Sequence, residues 1–539
     1  MSSFANIRAY IYLRRRCSRG VAGFILLERK ENFMTKNVVR FVLALLLLAT
    51  PGVAFGFEPT SDAEAALMRQ RLIPLPVSSE FGTGSVTLDD KLAVTLSTGD
   101  PDTTAPVFEK LFQEWFGHKP TLAVEKSTES IPAEGYRIEA QSGALSVVSS
   151  DYSGAINALK TLRQLAVPNR DQAKLTAWSV PEMKISDAPK LKFRGLHLCW
   201  FPETDPGRIE QGIRMAAYYK MNYVVIETWG TYRFESHPEF GWADGTVDKA
   251  EIRRLNKIAK EQGLTLIPQF NFFGHASGSR GGTSKHAILD FHPEFLPLFE
   301  PDGWTFCLAN PDTRKILTDL ALELYEAYEE PPFFHIGCDE AYSAGTCPAC
   351  RKNDYGKLFL DHLTYFVDLF EKRGCRPMMW HDMLVPSGGE FEGYIGGGTA
   401  ATVGILDNLT KKMIICDWQY SAPRENEEWP TATYFKNKGF DVVSCPWDTR
   451  SGIQSLGANA CKKDLFGLLT TTWHHFKGSA MRTTLSAGAH SAWGTPHSNY
   501  GTAEVDNHLR QVGWDMKERL GYRQTGILPW QLPPEPSGD

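Results

Sequence analysis

The stretch of sequence that decides the fold is Phe333-Phe334-His335-Ile336-Gly337-Cys338-Asp339-Glu340. It is an apolar, strand-like run that ends in two adjacent carboxylates. A parallel α/β barrel uses strands of this kind, buried in the middle and acidic at the carboxyl end, to present chemical groups at one rim of the sheet. Because neighbouring strand residues point to opposite faces, both carboxylates reach one pocket only if the regular strand stops near Asp339. The alternative is that the pair merely opens a solvated loop.

Seven similar runs place this strand in a repeating pattern of an apolar strand followed by a polar-faced helix. The eight predicted strands cover residues 193–199, 222–227, 265–271, 333–340, 376–382, 413–420, 441–448 and 466–474. Eight such units over about 280 residues predict an α/β fold, a (β/α)8 TIM barrel within residues 189–539. A doubly wound open sheet is the alternative. Polar and aromatic residues at nearly every strand end favour the barrel, whose active sites lie there.

A smaller domain is predicted ahead of the barrel, at residues 57–188. It carries an amphipathic helix at residues 105–116, two strands at 135–139 and 144–148, and a second helix at 153–165. Strands and helices mixed over such a length predict a small α+β domain. A proline-containing stretch that ends at Pro189 reads as the linker into the barrel.

The N-terminal 56 residues have the pattern of an upstream extension followed by a signal peptide. Basic residues between Met34 and Arg40 precede an apolar run at residues 41–49, and Ala54-Phe55-Gly56 is a small-x-small cleavage site. The run is too short to remain as a membrane span. We therefore expect export to the periplasm or the extracellular space, with cleavage before Phe57.

Composition limits the class of partner. The formal charge of −6, a pI near 6.2 and the lack of a basic stripe argue against nucleic acid. Aromatic residues make up 12% of the chain, with 14 tryptophans, which suits a sugar-binding cleft. The sequence predicts a carbohydrate partner and no cofactor, and it leaves the oligomeric state open.

Ten cysteines are present, and nine of them follow the predicted cleavage site. Cys347 and Cys350 form a CxxC pair just after the carboxylates, which could be a disulfide, half of a metal site or a redox motif. No second CxxC exists in the sequence, so a zinc site would need scattered ligands such as Cys338. Because an exported chain favours oxidised pairs, we expect a loop disulfide or inert thiols and no metal.

Residues 334–341 read FHIGCDEA, which resembles the His-x-Gly-x-Asp-Glu signature of the family-20 glycoside hydrolases, the β-N-acetylhexosaminidases. The runs at residues 193–196, 220–222 and 267–275 resemble the first three barrel strands of that family. Residues 135–165 are similar to the α+β domain that precedes its barrel. The resemblance covers roughly residues 70 to 480.

The resemblance implies an exo-acting retaining hydrolase that releases terminal GlcNAc or GalNAc. In this family the 2-acetamido oxygen of the substrate attacks the anomeric carbon, so no protein nucleophile is needed. Glu340 would be the acid/base, Asp339 would hold the acetamido N–H, and His275 would support the acid/base. The implied substrate-binding residues are Arg194, Glu227, Trp380, Tyr420, Trp447, Asp448 and Trp473.

Several positions depart from the family pattern. Residues 225–230 read VIETWG where the family commonly shows His-x-His-x-x-Asp, so Glu227 is only a candidate replacement for the usual aspartate. Gln269 and Asn271 stand where acidic residues are usual. These departures indicate a divergent branch. A catalytically silent glycan-binding relative and a β-glycosidase of other specificity remain the alternatives.

Overall fold

A computed structural model describes residues 57–228, 230–242, 244–277, 288–420, 429–473, 478–495 and 502–516. The predicted signal peptide lies outside these residues. The first part of the described chain is a seven-stranded sheet, ordered β1-β7-β4-β5-β2-β3 with β6 paired to β7. Its strands are β1 (Ser78–Leu88), β2 (Ala93–Thr98), β3 (Thr121–Lys126), β4 (Tyr136–Gln141), β5 (Ala144–Ser149), β6 (Val167–Asp171) and β7 (Lys174–Asp187).

The second part is a closed barrel of eight parallel strands. In barrel order they are β8 (Phe193–Trp200), β9 (Tyr223–Thr228), β10 (Thr265–Gln269), β11 (Phe333–His335), β12 (Arg376–Trp380), β13 (Ile414–Trp418), β14 (Asp441–Cys445) and β15 (Gly467–Thr471). The last strand pairs with the first, as Gly467 lies opposite Phe193. The predicted TIM barrel is therefore confirmed, and all eight predicted strands are present.

Most of the strands are shorter at their carboxyl ends than predicted. β11 stops at His335, and β15 stops at Thr471. The residues that follow carry polar and aromatic side chains, and they leave the ladder to line the rim of the barrel. A prediction from sequence extends the strand through these residues, because apolar residues among them continue the strand-like pattern.

Helices cover the outside of the barrel and one face of the sheet. They are α1 (Asp62–Gln70), α2 (Pro101–Phe116), α3 (Tyr152–Leu165), α4 (Pro206–Tyr218), α5 (Lys249–Glu261), α6 (Ile288–Phe291), α7 (Pro311–Ala327), α8 (Tyr355–Glu371), α9 (Ala400–Val403), α10 (Pro430–Asn437), α11 (Arg450–Lys463), α12 (Gly478–Trp493) and α13 (Thr502–Met516). Short 3-10 turns lie at Pro238–Phe240, Pro293–Leu298, Cys350–Lys352, Asp382–Leu384 and Gly389–Phe391. Among the described residues, no helix is long and apolar enough to cross a membrane.

Side-chain caps start several of the barrel helices. Asp205, Asp248, Asn310 and Asp354 each accept a hydrogen bond from a backbone N–H in the first turn of α4, α5, α7 and α8 respectively. Such a cap satisfies one of the donors that a helix leaves unpaired at its start, and it stabilises the helix by about 1 kcal/mol.

A buried polar network joins the sheet to the amino-terminal end of the barrel. Asp187, the last residue of β7, accepts hydrogen bonds from Lys220 Nζ at 3.2 Å, from the Tyr136 hydroxyl at 2.6 Å and from Trp493 Nε1 at 2.7 Å. The side chains of Lys220 and Asp187 are fully buried. A buried ion pair is tolerated because these further hydrogen bonds complete its partners. The small domain therefore contacts the barrel at the amino-terminal ends of β8 and β9, away from the carboxyl ends of those strands.

Candidate active site

The two carboxylates at the end of β11 share one pocket because the backbone leaves the strand before them. Gly337, Cys338 and Glu340 have φ angles of 64°, 76° and 49°, in the left-handed region. Only glycine adopts that region without steric cost. A Cβ at Gly337 would also lie 1.9 Å from Oδ1 of Asn271, so the turn requires glycine there. The regular strand thus stops before both carboxylates, as the sequence analysis required for them to face the same side.

His275 lies between the two carboxylates. Its Nε2 is 3.3 Å from Oδ2 of Asp339 and 3.3 Å from Oε2 of Glu340. The indole ring of Trp304 lies against the imidazole, with 4.3 Å between the ring centroids. The segment of His275 approaches the pair so closely that a Cβ at Gly274 would lie 1.8 Å from the Asp339 carbonyl oxygen. The predicted group of Glu340, Asp339 and His275 is thus brought together.

Glu340 is also held by neighbours that sequence analysis did not assign to the site. Its backbone N–H donates to Asp382 Oδ2 at 2.9 Å, and its carbonyl oxygen accepts from Trp304 Nε1 at 2.8 Å. The Tyr342 hydroxyl donates to Glu340 Oε1 at 3.2 Å. Asp382 follows the end of β12, and that position at the rim of the barrel was the signal that could have identified it.

Burial and charge oppose each other at this cluster. Burial raises the pKa of Asp339, and the His275 charge partly offsets the effect. Burial lowers the pKa of His275, but the Asp339 charge and hydrogen bonds to both carboxylates outweigh it and raise the pKa to about 10. Burial and the Asp339 charge raise the pKa of Asp382 to about 7. The site therefore holds a protonated imidazole beside an ionisable pair at neutral pH.

Glu227, at the end of β9, belongs to a second buried group beside the pair. Its Oε1 accepts from Asn271 Nδ2 at 2.8 Å, and its Oε2 lies 3.3 Å from His197 Nε2. Burial alone would raise the pKa of Glu227, but hydrogen bonding and charge from His197, with the charge of His275, lower it. Asn271 and His197 thus hold the Glu227 carboxylate at the end of β9, and its predicted role in substrate binding stays a prediction.

Aromatic residues at the ends of β12 and β15 pack together beside the strand that carries the carboxylate pair. Trp380 is fully buried, and its ring centroid lies 4.3 Å from that of His335 and 5.4 Å from that of Trp473. Trp473 follows β15 with a left-handed φ of 46°, and its ring contacts His197 at 4.9 Å. The two predicted tryptophans thus lie together above the barrel interior.

A second aromatic group lies at the ends of β13 and β14. The Tyr420 ring lies 5.3 Å from that of Trp418 and 5.1 Å from that of Trp447. Burial raises the pKa of Tyr420 well above its ordinary value, and the negative charge of Asp339 adds to the effect. The charge of Asp339 therefore acts on the Tyr420 hydroxyl. A hydroxyl with a raised pKa stays protonated and can donate a hydrogen bond at this site.

Two predicted substrate-binding residues are not drawn into this group. Arg194, near the amino-terminal end of β8, is buried against the small domain, where its guanidinium contacts Glu134 and donates to Leu191 O at 2.9 Å. The prediction that Arg194 binds sugar is corrected, because a side chain at that end of the strand lies away from the rim. Asp448 is half-buried and accepts a hydrogen bond from Thr449 Oγ1 at 3.4 Å. Its role stays a prediction.

The CxxC pair lies against a third cysteine that the sequence did not group with it. Cys347 and Cys350 are free thiols in the structure rather than partners in a disulfide. Both approach Cys307, whose Sγ is 3.4 Å from that of Cys347 and 3.6 Å from that of Cys350. Cys338, which the sequence suggested as a scattered ligand, instead lies near Ile336 O at 3.3 Å. Cys307 stands 40 residues before Cys347, so the spacing alone gave no signal for it.

The fold and the site together define a (β/α)8-barrel protein with a histidine-bridged carboxylate pair and aromatic groups at the carboxyl ends of its strands. Two family models match the sequence. Glycosyl hydrolase family 20, domain 2, matches residues 69–188, and glycosyl hydrolase family 20, catalytic domain, matches residues 210–450. These matches cover more than half of the 539 residues. The chain belongs to glycosyl hydrolase family 20.

Named relatives are distant. A beta-hexosaminidase of Porphyromonas gingivalis is 23% identical over 358 residues, which are 58% of this chain and 45% of the relative. A beta-hexosaminidase of Vibrio furnissii is 24% identical over 363 residues, 59% of this chain and 55% of the relative. The chain thus spans about half the length of these relatives.

Solved structures share the fold at low sequence identity. A Flavobacterium johnsoniae chitobiase superposes with a TM-score of 0.61 at 19% identity, covering 84% of this chain and 73% of that one. A family-20 exo-beta-N-acetylglucosaminidase of Vibrio harveyi, solved in complex with N-acetylglucosamine, gives 0.62 at 19% identity, covering 83% and 77%. At this identity the similarity establishes the architecture.

Proposed function

We propose that the chain is an exo-acting, retaining β-N-acetylhexosaminidase that uses the 2-acetamido group of its substrate as the nucleophile. The observation that carries the proposal is the placement of Asp339 and Glu340 on one side of a left-handed turn, each 3.3 Å from His275 Nε2. Family membership supports the reaction class, and the names of the relatives support the N-acetylhexosaminide substrate.

Glu340 acts first as a general acid. It gives its proton to the glycosidic oxygen as the bond from that oxygen to the anomeric carbon breaks. The acetamido oxygen forms the new bond to the anomeric carbon, which yields a cyclic oxazolinium ion and the free alcohol. Glu340, now a carboxylate, takes a proton from water as the water oxygen attacks the same carbon and reopens the ring. Two displacements at one carbon retain the β-configuration.

Asp339 stabilises the cyclic ion. Its side chain is buried, and among the described residues its Oδ1 accepts no hydrogen bond from the protein. A buried acceptor without a donor is costly, so a donor from the substrate is expected there. The acetamido N–H is such a donor, and a carboxylate beside it stabilises the positive charge that develops on the ring.

The aromatic walls suit the apolar surfaces of this substrate. Trp380 and Trp473 form one wall, and Tyr420 and Trp447 form the other. A sugar with an acetamido methyl presents apolar faces to such rings. We assign the methyl group to the tryptophan wall and the acetamido oxygen to the Tyr420 hydroxyl, which lies near Asp339.

The test compares chromogenic β-GlcNAc, β-GalNAc and β-glucoside substrates at equal concentration. Hydrolysis of the acetamido sugars with negligible β-glucoside cleavage is expected, because the glucoside lacks the internal nucleophile. Proton NMR of the first product should show the β-anomer. Comparable β-glucoside cleavage would indicate another specificity, and binding without turnover would indicate a silent glycan-binding protein.

We also propose that the mature chain acts outside the cytoplasm, on the basis of the signal-peptide pattern in residues 1–56. Expression of the full sequence followed by cell fractionation tests this. An exported protein whose N-terminus is Phe57 is expected. Retention of the unprocessed chain in the cytoplasm would contradict the proposal.

A further inference from the structure

Four potential metal ligands converge beside the loop that follows the carboxylate pair. Glu300, Cys307, Cys347 and Cys350 each place one ligand atom within 4.8 Å of the others, and all four residues are buried. Two come from the segment before α7, and two come from the loop that leads to α8. No part of the proposed hydrolytic reaction uses them.

The distances between the sulfur atoms suit a tetrahedral metal ion. A zinc–sulfur bond is about 2.3 Å, so two thiolates on one tetrahedral zinc lie about 3.8 Å apart. The observed separations from Cys307 Sγ are 3.4 Å to Cys347 and 3.6 Å to Cys350. A disulfide would use only two of the three sulfurs and leave the third thiol and a carboxylate buried beside it. A metal ion uses all four groups.

The buried Glu300 carboxylate also favours a cation at this cluster. Glu300 is fully buried and makes no ion pair with Lys, Arg or His within the described parts of the chain. Its oxygens accept hydrogen bonds from Gly345 N at 3.1 Å, from Cys347 N at 2.5 Å and from Thr346 Oγ1 at 3.2 Å. These donors orient the carboxylate but bring no positive charge. A buried anion is normally compensated by a cation, and a metal ion at the sulfur cluster would supply one.

The CxxC turn is arranged for metal-bound sulfur. The backbone N–H of Cys350 donates to Cys347 Sγ at 3.2 Å, and a hydrogen bond of this kind stabilises a thiolate. Cys350 opens the 3-10 turn Cys350–Lys352, and both sulfurs of the CxxC pair lie within 3.6 Å of Cys307 Sγ. Thiolate ligands favour zinc among the common divalent ions, and the set of three Cys and one carboxylate leaves no open position for catalysis.

We propose that Cys307, Cys347, Cys350 and Glu300 bind a structural zinc ion. The ion joins the segment that carries Trp304 to the loop that starts at Glu340. Other contacts already connect these two segments: Ser343 Oγ donates to Thr305 Oγ1 at 2.9 Å, and Trp304 Nε1 donates to Glu340 O at 2.8 Å. Zinc would fix the loop and, through it, the position of the acid/base.

The first test measures metal in the intact protein, purified without chelator or added metal. Elemental analysis should give about one zinc per chain, and a mercurial that titrates thiols should release it. Protein refolded with Co2+ in place of zinc should show the visible bands of tetrahedral cobalt and sulfur-to-cobalt charge-transfer absorption. These readouts need no sugar substrate, so they succeed or fail independently of the proposed hydrolase activity.

Variants identify the ligands. Cys307→Ser should abolish stoichiometric zinc binding, whereas Cys461→Ser, outside the cluster, should bind zinc as the wild type does. Glu300→Gln keeps all three sulfurs and should weaken zinc binding at least tenfold in competition with a chromogenic chelator. Unchanged affinity in Glu300→Gln would overturn the assignment of Glu300 as the fourth ligand.

The competing state is a disulfide between two of the three cysteines. Intact mass spectrometry under denaturing, non-reducing conditions distinguishes it, because a disulfide removes two hydrogen atoms from the expected mass. A native protein with all thiols reduced and zinc bound supports the proposal. Metal-free protein with a disulfide in this cluster, or reduced protein that fails to take up zinc or cobalt, overturns it.

Discussion

The backbone N–H of Glu340 donates to Oδ2 of Asp382, 2.9 Å away. The other oxygen of Asp382 accepts from Trp418 Nε1 at 3.3 Å, so a buried carboxylate spans the ends of three neighbouring strands. It fixes the main chain of Glu340. Burial and the Asp339 charge raise the pKa of Asp382 from its ordinary 3.8 to about 7.

That pKa makes the Asp382 carboxyl a pH-dependent contributor to stability. The folded state holds this proton more tightly than the unfolded state, so the stabilisation is complete below pH 3.8 and is lost as pH rises through about 7. Asp382→Asn should flatten the dependence of unfolding free energy on pH across this window. Urea unfolding between pH 4 and pH 8 measures it, and an unchanged slope would show that Asp382 does not titrate there.

Replacement of Glu340, the proposed acid/base, should remove proton transfer while leaving the shape of the site nearly unchanged. Glu340→Gln is expected to lower kcat/KM by about 10²–10⁴-fold on substrates with poor leaving groups, and less on activated aryl glycosides. Glu371→Gln, which alters an ion pair with Lys412 on the outer helix α8, is the control and should retain full activity. Wild-type rates in Glu340→Gln on an unactivated disaccharide would rule out Glu340 as the acid.

The internal nucleophile gives a separate prediction. A thiazoline analogue of the cyclic intermediate should inhibit competitively and at least 100-fold more tightly than the free sugar, since ligands that resemble the transition state bind best. Asp339→Asn should weaken that inhibitor more than it weakens the free sugar, because the lost charge faced the cationic ring. Inhibition constants for both ligands test this. A 2-fluoro glycoside that labels a protein carboxylate would contradict the mechanism.

His275 should set the acid limb of the pH–rate profile. Its charge opposes the rise that burial causes in the pKa of Asp339, and its own pKa is raised to about 10, so it is protonated throughout the neutral range. His275→Gln removes that charge, raises the pKa of Asp339 and should shift the acid limb of kcat/KM to higher pH. His118→Gln, on the surface of the small domain, should leave the profile unchanged. A limb that stays in place in His275→Gln would exclude this electrostatic role.

Some of this arrangement could be predicted from the sequence, because local pattern and chain order determine it. Eight apolar runs predict the barrel, and Asp339 and Glu340 lie together because they are adjacent in the sequence. The contact of Cys307 with the CxxC pair, and that of Asp382 with Glu340, depends on how separate loops meet above the barrel. Arg194 was misplaced because a motif gives its strand but not the end at which the side chain lies.

The role of the turn at Gly337 in positioning the carboxylate pair can be tested by substitution, and Gly374 offers a matched control. Gly337 and Gly374 have φ angles of 64° and 73°, so an added Cβ strains the backbone similarly at both, by about 1–2 kcal/mol. At Gly374 that Cβ meets nothing within 4 Å, whereas at Gly337 it meets Oδ1 of Asn271 at 1.9 Å and the Asn271 Cα at 3.1 Å.

Both Gly337→Ala and Gly374→Ala should therefore lose comparable stability to strain, but only Gly337→Ala should displace the pair. Asn271 must move, its hydrogen bond to Glu227 is disturbed, and the carboxylates shift with the turn. A shift of about 1 Å costs about 100-fold in rate. Activity per folded molecule, corrected by urea unfolding, separates the two effects. Equal specific activities in the two variants would show that the turn at Gly337 does not position Asp339 and Glu340.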